Sequence, residues 1–319
     1  MEAKGYYIHA LSGLHMGTGQ GTGVIDLPIA REKSTGLPIV PGSGVKGVLR
    51  DLCRPEPGDS NGYKKTWETL FGPEATELQD EKGFAGALAV QDAQLLCLPV
   101  RSVYGVFAWV SCPFILRRYQ RDCLLVQKQD ELAIPEPDNA KQALVTSEDC
   151  CLAGLVQDIT QEQSTRKVIL EDLTFTEQPS MEVANLAEEI GRKVFPGAEE
   201  DWQKFFRDRF MVVSDNVFSF LAETGTEIRA RIKLQEDTRT VQKGGLWYEE
   251  NLPAETILYG MLGCGRSRNP DNAAMDGNAL LDYFIENMLK GLEVNIQIGG
   301  NATVGRGNVR WILAPEQGE

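Results

Sequence analysis

The connection between residues 12 and 41 is the feature that most constrains the fold of this chain. It follows a stretch rich in β-forming residues, Lys4–Ser12, and precedes an amphipathic segment that begins near Ser43. It has no helical periodicity, and its middle is rich in glycine. Connections this long without regular structure are uncommon in compact domains and often carry function. We therefore expect the first strand and the first helix to be joined by a functional loop.

Size and composition indicate a globular protein. The chain has 319 residues and 42% of them are apolar, which is enough for a sizeable core. This length permits one large domain or two ordinary ones. No apolar run reaches the roughly 18 residues that a membrane-spanning helix needs. The N-terminus has no apolar signal core, so we expect a cytoplasmic protein.

The cysteines and histidines disfavour a metal centre built by the protein alone. The seven cysteines are irregularly spaced and include no C-x-x-C pair, as expected for a reduced, cytosolic chain. Zinc sites need ligand pairs two to four residues apart, and such pairs are missing. His9 and His15 are the only histidines in the sequence, which excludes a centre made of several histidines.

The net charge of -14 argues against nucleic acid until its distribution is considered. Residues 130–200 contain 16 acidic and 5 basic residues, so this segment carries most of the imbalance. Residues 1–50 and 225–245 each contain 5 basic and 3 acidic residues. A local field guides a polyanion more than the total charge does. Two weakly basic regions therefore remain candidates for contact with RNA, although ordinary solvated surface is an alternative.

Residue patterns predict a mixed α+β fold, an α+β sandwich of the ferredoxin-like type with large insertions. We expect residues 130–171, which are acidic and contain proline at their start, to form a surface insertion rather than core. Besides Lys4–Ser12, the predicted strands are Gly86–Val100, Ser102–Cys112, Glu227–Leu234, Leu292–Ile298 and Asn308–Leu313. The predicted helices are a segment from Ser43 that stops before Pro55, then Pro113–Gln127, Met181–Val194, Asp201–Met211 and Asn278–Lys290.

Alternating glycines at Gly17, Gly19, Gly21 and Gly23 lie in the middle of the long connection. Without side chains, their backbone N–H groups can approach a ligand closely and form concavities that bind anions. Phosphate is a natural ligand for such a loop. The alternative is a flexible surface loop.

A second glycine pattern, Pro41–Gly47, matches G-x-G-x-x-G. A dinucleotide site is rejected because no buried strand precedes the pattern and no strand ending in an acid follows it. A P-loop is excluded because no G-K-[S/T] is present. The pattern suits a helix start at Gly42 and Ser43 that offers free N–H groups to phosphate, with Lys46 adding positive charge. An ordinary capped helix is the alternative.

Asp26 lies between the two glycine patterns and is the candidate catalytic residue. RNA carries its own nucleophile, the 2'-OH, and cleavage needs in-line geometry and help in removing a proton. One carboxylate can act as the base or hold a metal ion. His15 is a second candidate for acid–base chemistry. A solvated carboxylate and a structural histidine are the alternatives.

Glu227–Leu234 alternates apolar residues with Arg229, Arg231 and Lys233, as in a strand with one wet face. A turn at residues 235–240 and a return through Trp247 and Tyr248 complete a predicted hairpin. Cations beside aromatic surface suit single-stranded nucleic acid, and a sheet edge protected by charge is the alternative.

A third glycine-rich segment, Gly299–Gly307, lies near the C-terminus and contains Arg306. It is either another loop that meets a phosphate backbone or a plain hairpin turn.

Together these motifs resemble the RAMP superfamily of CRISPR effector complexes, and within it the target-cleaving backbone subunit of the type III-B, or Cmr, complex. The resemblance covers both ends and the middle of the chain in the expected order, but residues 130–200 match nothing in it. Gly44 stands where relatives often have serine, which affects only the helix cap. The residues that carry the resemblance are His15–Gly19, Val24–Ile29, Arg31–Glu32, Thr35–Gly36, Pro38, Pro41–Arg50, Gly105–Val110, Cys112–Pro113, Leu246–Glu250, Leu252–Pro253 and Gly299–Gly307.

The resemblance implies a single RAMP domain over residues 1–319, with an acidic insertion at 130–200. Its fold would be a modified ferredoxin-like palm, as in the RNA-recognition motif, with helical insertions and a thumb β-hairpin within residues 225–253. Copies of the chain would stack as a filament along a guide crRNA, together with other type III effector subunits.

The resemblance also implies an endoribonuclease that cuts complementary single-stranded target RNA at regular intervals. Asp26 matches the cleavage residue, and a divalent cation, Mg or Mn, is required. The products would be a 2',3'-cyclic phosphate and a 5'-OH. The residues expected to contact RNA are Gly17, Gly19, Gly21, Arg31, Gly42, Ser43, Lys46, Arg50, Arg229, Lys233, Trp247, Tyr248, Gly300 and Arg306.

Three alternatives remain from the sequence. The chain could be a structural RNA-binding subunit in which Asp26 has no catalytic role. It could be the equivalent backbone subunit of a type III-A complex, although the segments at Leu27–Ile29 and Leu246–Glu250 favour type III-B. It could also be a standalone nuclease that processes guide precursor, for which two histidines are a poor basis.

Overall fold

The computed structural model describes residues 2–21, 23–74, 83–126, 132–158, 163–197 and 199–315. The fold is mixed α+β, as predicted. In these described ranges, thirteen strands form one sheet and two further strands form a separate hairpin. Among the described residues, no helix is both long and apolar enough to cross a membrane.

The strands of the large sheet are short, and most have fewer than nine residues. They are β1 (Glu2–Ala10), β2 (Ile39–Val40), β3 (Leu88–Val90), β4 (Ala93–Arg101), β5 (Phe107–Ser111), β6 (Gln142–Val145), β7 (Ala153–Asp158), β8 (Gln163–Leu170), β9 (Leu173–Pro179), β10 (Phe210–Val212), β13 (Ile257–Cys264), β14 (Glu293–Gln297) and β15 (Asn308–Leu313). The hairpin consists of β11 (Glu227–Leu234) and β12 (Val241–Asn251).

The sheet brings the two ends of the chain together. Its strand order is β14-β15-β1-β13-β4-β5-β10-β6-β9-β8-β7, with β2 paired to β4 and β3 paired to β13. β1 therefore lies between the last strand and β13 and pairs with both in antiparallel register. Tyr6, Tyr7 and Ile8 are buried, which fits a strand covered on both faces.

Seven α-helices cover the described part of the sheet or lie at its ends. They are α1 (Gly42–Leu52), α2 (Asn61–Phe71), α3 (Pro113–Val126), α4 (Met181–Val194), α5 (Glu200–Arg207), α6 (Asp215–Thr224) and α7 (Gly277–Tyr283), the last continuing as a π-helix over Phe284–Leu289. α3, α4 and α7 pack against β1. α4 begins at Ser180, whose side chain accepts the N–H of Val183, a standard N-cap.

Three predicted elements differ from the structure by more than a shift of one or two residues at their ends. The stretch 86–100 is divided into β3 and β4 because Asp92 turns away to accept the Gly42 N–H. The stretch 102–112 becomes a strand only from Phe107, because the chain turns where Val106 has positive φ. The helix predicted over 201–211 ends at Arg207, and the apolar residues Phe210–Val212 form β10 between β5 and β6.

Residues 130–171 were predicted to form a surface insertion rather than core; residues 130, 131 and 159–162 lie outside the described part, and for the rest this prediction is wrong. All four residues of β6 are buried, because β6 is hydrogen-bonded between β10 and β9. Leu152, Val168 and Leu170 also belong to the core. The acidic segment therefore contributes strands to one end of the sheet.

The hairpin is formed by the predicted strands, but its apolar face is more exposed to solvent than we expected. β11 has the predicted bounds, and it pairs with β12 from Glu227 opposite Asn251 to Leu234 opposite Val241. One wet face was expected, yet the apolar face is also exposed, with Ile232 52% accessible. The hairpin projects from the domain instead of covering a core.

Candidate functional site

The long N-terminal connection lies along the base of the projecting hairpin. The Leu27 N–H donates to the Tyr248 carbonyl at 3.1 Å, and the Glu250 N–H donates to the Leu27 carbonyl at 3.0 Å. Leu14 exchanges two further backbone hydrogen bonds with Leu252, each of 2.9 Å. Backbone pairing therefore ties the predicted functional loop to β12.

Asp26 is exposed at this junction. Its Oδ2 accepts the backbone N–H of Tyr248 at 2.8 Å, and its own carbonyl accepts the Gly21 N–H at 2.8 Å. Among the described residues, the Asp26 Oδ1 has no hydrogen-bond partner. The carboxylate is thus oriented by one oxygen, while the other remains available to a ligand.

Glu250, only 3% exposed, fastens the loop to the hairpin from within. One carboxylate oxygen accepts from Arg31 Nη2 at 2.6 Å and from the Thr226 hydroxyl at 2.9 Å. The other accepts the Ile29 N–H at 3.1 Å. A buried carboxylate needs such partners, because an unpaired buried charge is strongly unfavourable.

Glu249 makes a second buried set of contacts at the same place and is 4% exposed. It accepts from Trp247 Nε1 at 2.8 Å and from Asn301 Nδ2 at 3.2 Å, and it lies 3.6 Å from Arg231 Nε. The contact with Asn301 joins the hairpin to the C-terminal glycine-rich loop. The aromatic side chain at the hairpin base is therefore held by the protein.

His15 lies beneath the surface and is 7% exposed. Its Nδ1 is 2.7 Å from the Glu250 carbonyl, and since a carbonyl only accepts, Nδ1 carries the proton. A Cβ on Gly17 would lie 2.6 Å from Nε2, and a Cβ on Gly299 would lie 2.4 Å from the His15 carbonyl. The predicted catalytic histidine is thus enclosed by two glycine-rich loops, and its catalytic role stays a prediction.

The two glycine-rich loops and the start of α1 meet around residues 13–16. The Gly300 N–H donates to the His15 carbonyl and the Gly307 N–H to the Gly13 carbonyl, both at 2.9 Å. A Cβ on Gly44 at the start of α1 would lie 3.3 Å from the Met16 methyl carbon, and one on Gly299 would lie 2.9 Å from the Met16 sulfur. Gly17, Gly19 and Gly300 are exposed, so their backbone can meet a ligand.

The start of α1 is less open to an anion than the sequence suggested. The Gly42 N–H already donates to Asp92 Oδ1 at 2.8 Å, which places a carboxylate at the positive end of the helix. Ser43 is exposed, but Lys46 Nζ donates to the Leu88 carbonyl at 2.7 Å. Burial, and then the nearby Arg50 and Arg268, lower the pKa of Lys46. Lys46 therefore points into the protein.

Three predicted RNA-contacting arginines are engaged inside the chain. Arg31 bonds to Glu250 and to the Gly36 and Ala222 carbonyls. Arg50 donates to the Gly72 and Pro73 carbonyls and lies over the Trp67 ring. Arg306 is 9% exposed and lies 3.8 Å from Glu227. Their guanidinium groups stabilise loops in this structure, and the predicted RNA contacts stay untested.

The hairpin presents the more accessible cations and rings. Arg229 is half exposed and pairs with Glu227 at 2.8 Å, whereas Lys233 is exposed and has no partner among the described residues. Trp247 is half-buried and Tyr248 is 39% exposed. The structure therefore brings Asp26, Trp247 and Tyr248 together with the exposed glycine backbone.

Glu249 and Glu250 were not identified as site residues from the sequence. A signal existed, since two adjacent acids follow Trp247 and Tyr248 at the end of a strand and precede Pro253. Period-two alternation should place one of two neighbouring residues on the buried face. Both are buried because the N-terminal loop covers one side and the C-terminal loop the other.

The residues at the site fit a cation only if a ligand shares it. No group of three or more His, Cys, Asp or Glu side chains that could hold a metal occurs among the described residues. Mg²⁺ in nucleotide sites is often bound by one or two carboxylates plus substrate phosphates. The free oxygen of Asp26 suits that arrangement.

Comparison with known proteins gives consistent matches over nearly the whole chain. The family model of the RAMP superfamily matches residues 7–310. The CRISPR system Cmr endoribonuclease Cmr4 of Pyrococcus furiosus is 33% identical over 310 residues, which cover 96% of this chain and 94% of that protein.

Two solved structures have a similar fold. The crystal structure of oligomeric Cmr4 from Pyrococcus furiosus has a TM-score of 0.68 at 25% identity and covers 98% of both chains. A chain of the type III-B Cmr-beta complex bound to cognate target RNA also has a TM-score of 0.68 and covers 98% of this chain and 97% of that one. Its 18% identity supports the fold alone. As the motifs predicted, the chain belongs to the RAMP superfamily.

Proposed function

We propose that this chain is a guide-RNA-binding backbone subunit of a type III-B CRISPR effector complex, and that it cleaves complementary target RNA through Asp26. One observation supports the catalytic role of Asp26. The exposed Asp26 carboxylate is held by the Tyr248 N–H at the base of a hairpin that projects from the domain. The relative that is 33% identical over nearly the full chain is named as a Cmr endoribonuclease.

In this proposal the large sheet and its helices are the ferredoxin-like palm, and β11–β12 is the thumb. A thumb that enters the guide–target duplex would bring the target backbone to the hairpin base, where Asp26 lies. Trp247 and Tyr248 provide aromatic surface there, and Arg229 and Lys233 provide positive charge farther along β11. Stacking and charge together suit unpaired nucleotides.

The reaction is attack of a ribose 2'-OH on the adjacent phosphate, giving a 2',3'-cyclic phosphate and a 5'-OH. The free oxygen of Asp26 would accept the 2'-OH proton or bind a divalent cation, Mg or Mn, shared with the phosphate. Such a cation would neutralise the negative charge that develops on the phosphate during attack. The hydrogen bond from Tyr248 fixes the carboxylate, and correct positioning itself lowers the barrier.

The proposed partners are guide crRNA, single-stranded target RNA, further copies of this chain in a filament and the other type III effector subunits, in the cytoplasm. The exposed backbone at Gly17, Gly19 and Gly300 is the part of the palm best able to contact the guide. Glycine-rich backbone can bind phosphate without a charged side chain.

The test is Asp26→Asn in the assembled complex. Asparagine keeps an oxygen that can accept the Tyr248 N–H, so the substitution removes the charge and preserves the contact. We expect single-turnover cleavage to fall by at least about 100-fold, the usual minimum for loss of acid–base catalysis, with target affinity unchanged. Asp172→Asn, at an exposed turn, is the control. Undiminished cutting by Asp26→Asn would mean that the chain is a structural subunit.

A further inference from the structure

A pair of exposed arginines, Arg266 and Arg268, lies in the loop that follows β13. Neither has a hydrogen-bond or ion-pair partner among the described residues. They differ in this from Arg31, Arg50 and Arg306, whose guanidinium groups are engaged within the chain. The loop belongs to none of the motifs identified in the sequence, so these two charges have no assigned role.

The loop that carries the two arginines is held firmly by the rest of the protein. Before the pair, the Gly265 N–H donates to the Ala87 carbonyl at 2.9 Å. After it, the buried side chain of Asn269 donates to the Thr69 hydroxyl on α2 at 3.1 Å. A ligand that binds the arginines therefore orders little backbone, which lowers the entropic cost of binding.

The two guanidinium groups are placed to act together. Ser267, between them, is half-buried, and its hydroxyl accepts the Asn269 N–H at 3.2 Å. This order of exposed, half-buried and exposed residues indicates that both arginines face solvent on one side of the loop. Since Cα atoms two residues apart are separated by at most about 7 Å, the pair can contact neighbouring phosphates of one strand.

Two further cations lie beside this loop. Lys46 Nζ donates at 2.7 Å to the carbonyl of Leu88, a residue that pairs with the end of β13. Arg50 follows Lys46 by one turn on α1. Burial, and then the charges of Arg50 and Arg268, lower the pKa of Lys46, so these cations are close enough to act on one another.

The acids of the same loop do not neutralise this charge. They are Asp271 and Asp276, and neither forms an ion pair within the described part of the chain. Asp276 is engaged as the N-cap of α7, where it accepts the Ala279 N–H at 2.9 Å. The arginines and their two neighbours on α1 therefore leave a surplus of positive charge.

The arginine loop is separate from the hairpin base but connected to the glycine-rich loops through α1. β13 begins after the hairpin and runs for eight residues before the loop, a length of about 25 Å. α1 begins where Gly44 faces Met16, beside the glycine-rich loops, and Lys46 reaches the end of β13 from the same helix. A strand that contacts the glycine-rich loops can thus continue along α1 to the arginines.

The chemistry of an unpaired arginine pair favours phosphate. A guanidinium presents a planar set of donors that matches two phosphate oxygens, and adjacent guanidinium groups suit a polyanion. We propose that Arg266 and Arg268 bind adjacent phosphates of one RNA strand that passes along α1. We expect this strand to be the guide, because the glycine-rich backbone proposed to contact the guide lies at the other end of α1. This inference rests on the proposed function.

The experiment measures binding of labelled guide by the assembled complex over a series of salt concentrations, for wild type and for Arg266→Gln/Arg268→Gln. We expect the double variant to reduce the slope of log affinity against log salt by about 1.4 per copy of the chain, since each lost phosphate contact on a single strand accounts for roughly 0.7. Binding of target RNA to the guide-loaded complex is measured in the same way and should keep its slope. A reduced slope for target alone would also support the phosphate site and would assign it to the target strand.

Two matched variants separate these contacts from a general effect of charge. Arg266→Lys/Arg268→Lys keeps both charges but not the paired donors, so it should keep the wild-type slope while weakening guide binding. Arg101→Gln/Arg192→Gln removes two other exposed arginines, from the end of β4 and from α4, and should leave the slope unchanged.

Three outcomes would overturn the inference. The slope could stay unchanged for both RNAs in Arg266→Gln/Arg268→Gln, or it could fall equally in Arg101→Gln/Arg192→Gln. The first double variant could also fail to join the complex while the free chain binds guide with the wild-type slope, which would assign the arginines to a contact with a neighbouring protein chain. In each case, a wild-type complex that binds guide and loses cleavage with Asp26→Asn would leave the proposed function in place.

Discussion

At the scale of single residues, buried carboxylates position an exposed one. Glu250 joins Arg31, Thr226 and the Ile29 N–H at the point where the Asp26 loop meets the hairpin. Because the Asp26 side chain accepts one hydrogen bond, from the Tyr248 N–H, its location depends on this buried contact. Loss of Glu250 should therefore lower the stability of the protein and disturb the position of Asp26.

We predict that Glu250→Ala lowers the free energy of unfolding by about 3–5 kcal/mol, because Arg31 is left without its carboxylate. Urea denaturation measures this directly. Glu188→Gln, at an exposed position of α4 without a partner among the described residues, should change stability by less than about 0.5 kcal/mol. Equal effects of the two substitutions would show that Glu250 does not fasten the loop.

A second residue-scale prediction concerns pH. Two hydrogen bonds of 2.8 and 3.0 Å from Arg118 lower the pKa of Glu32 below its ordinary 4.5. A lowered pKa in the folded state gives stability that is present above the unfolded pKa and is lost as pH falls through the folded pKa. Glu32→Gln should be less stable than wild type by about 1 kcal/mol at pH 7, since the pair is partly exposed.

This difference should narrow as pH falls below 4.5, where wild type begins to lose the charge that the variant lacks. Urea unfolding of both proteins at pH 7 and pH 4 tests it. A difference that stays constant between these two pH values would mean that ionisation of Glu32 contributes nothing to stability.

Sequence motifs identified the exposed site residues better than the buried ones. Asp26, Trp247 and Tyr248 were predicted separately and lie together, because backbone pairing joins their segments. Arg31 and Arg306 were expected to face RNA, but their partners are distant in sequence. Glu250 and Ala222 lie about 200 residues from Arg31, so no local pattern could reveal that its charge was already engaged.

At the scale of elements, the hairpin departs from an ordinary sheet edge. Its two strands form a sheet of their own, and Leu27 bridges to it only at the base. Ile232 and Leu246, directly opposite each other, are both about half exposed. Alternation correctly predicted β11 but not its surroundings, because period two shows which residues share a face and not whether that face is covered. An exposed apolar face on a projecting hairpin indicates that this element acts in an assembly.

If the cations on the hairpin contact RNA, the affinity for RNA should depend on salt concentration in a way that each cation contributes to. Lys233→Gln should reduce the slope of log affinity against log salt for RNA binding by the assembled complex by about 0.7, the value for one lost phosphate contact on a single strand. Lys141→Gln, at an exposed turn before β6, should leave the slope unchanged. An unchanged slope for Lys233→Gln would remove this lysine from the interface.

Other elements show where local patterns fail. β15 has the predicted bounds, since its apolar run is bounded by glycine and proline. β13 was not predicted, although it pairs with β1, β3 and β4, because its sequence, ILYGMLGC, contains two glycines and does not alternate. β10 was assigned to a helix because three residues are too few to show a period.

At the scale of the whole molecule, the sheet order places the strands of the acidic segment away from β1 and β13. β6 to β9, which come from the acidic segment, occupy one end of the strand order, and β10, β5 and β4 lie between them and β13. β1, which precedes the N-terminal connection, and β13, which follows the hairpin, lie beyond these strands, although α4 of the acidic segment packs against β1. A chain with net charge -14 can therefore still present a polyanion with a locally suitable surface.

If each subunit carries its own Asp26 at its own hairpin base, the cleavage positions along one target should be independent of one another. Complexes assembled from known mixtures of wild-type and Asp26→Asn subunits provide the most direct test. The extent of single-turnover cleavage is measured at each cleavage position. We expect the amount of cleavage at every position to fall in proportion to the fraction of Asp26→Asn subunits and to vanish when all subunits carry the substitution, while target binding is retained. Cutting that persists at regular intervals in a complex made only of Asp26→Asn subunits would contradict it.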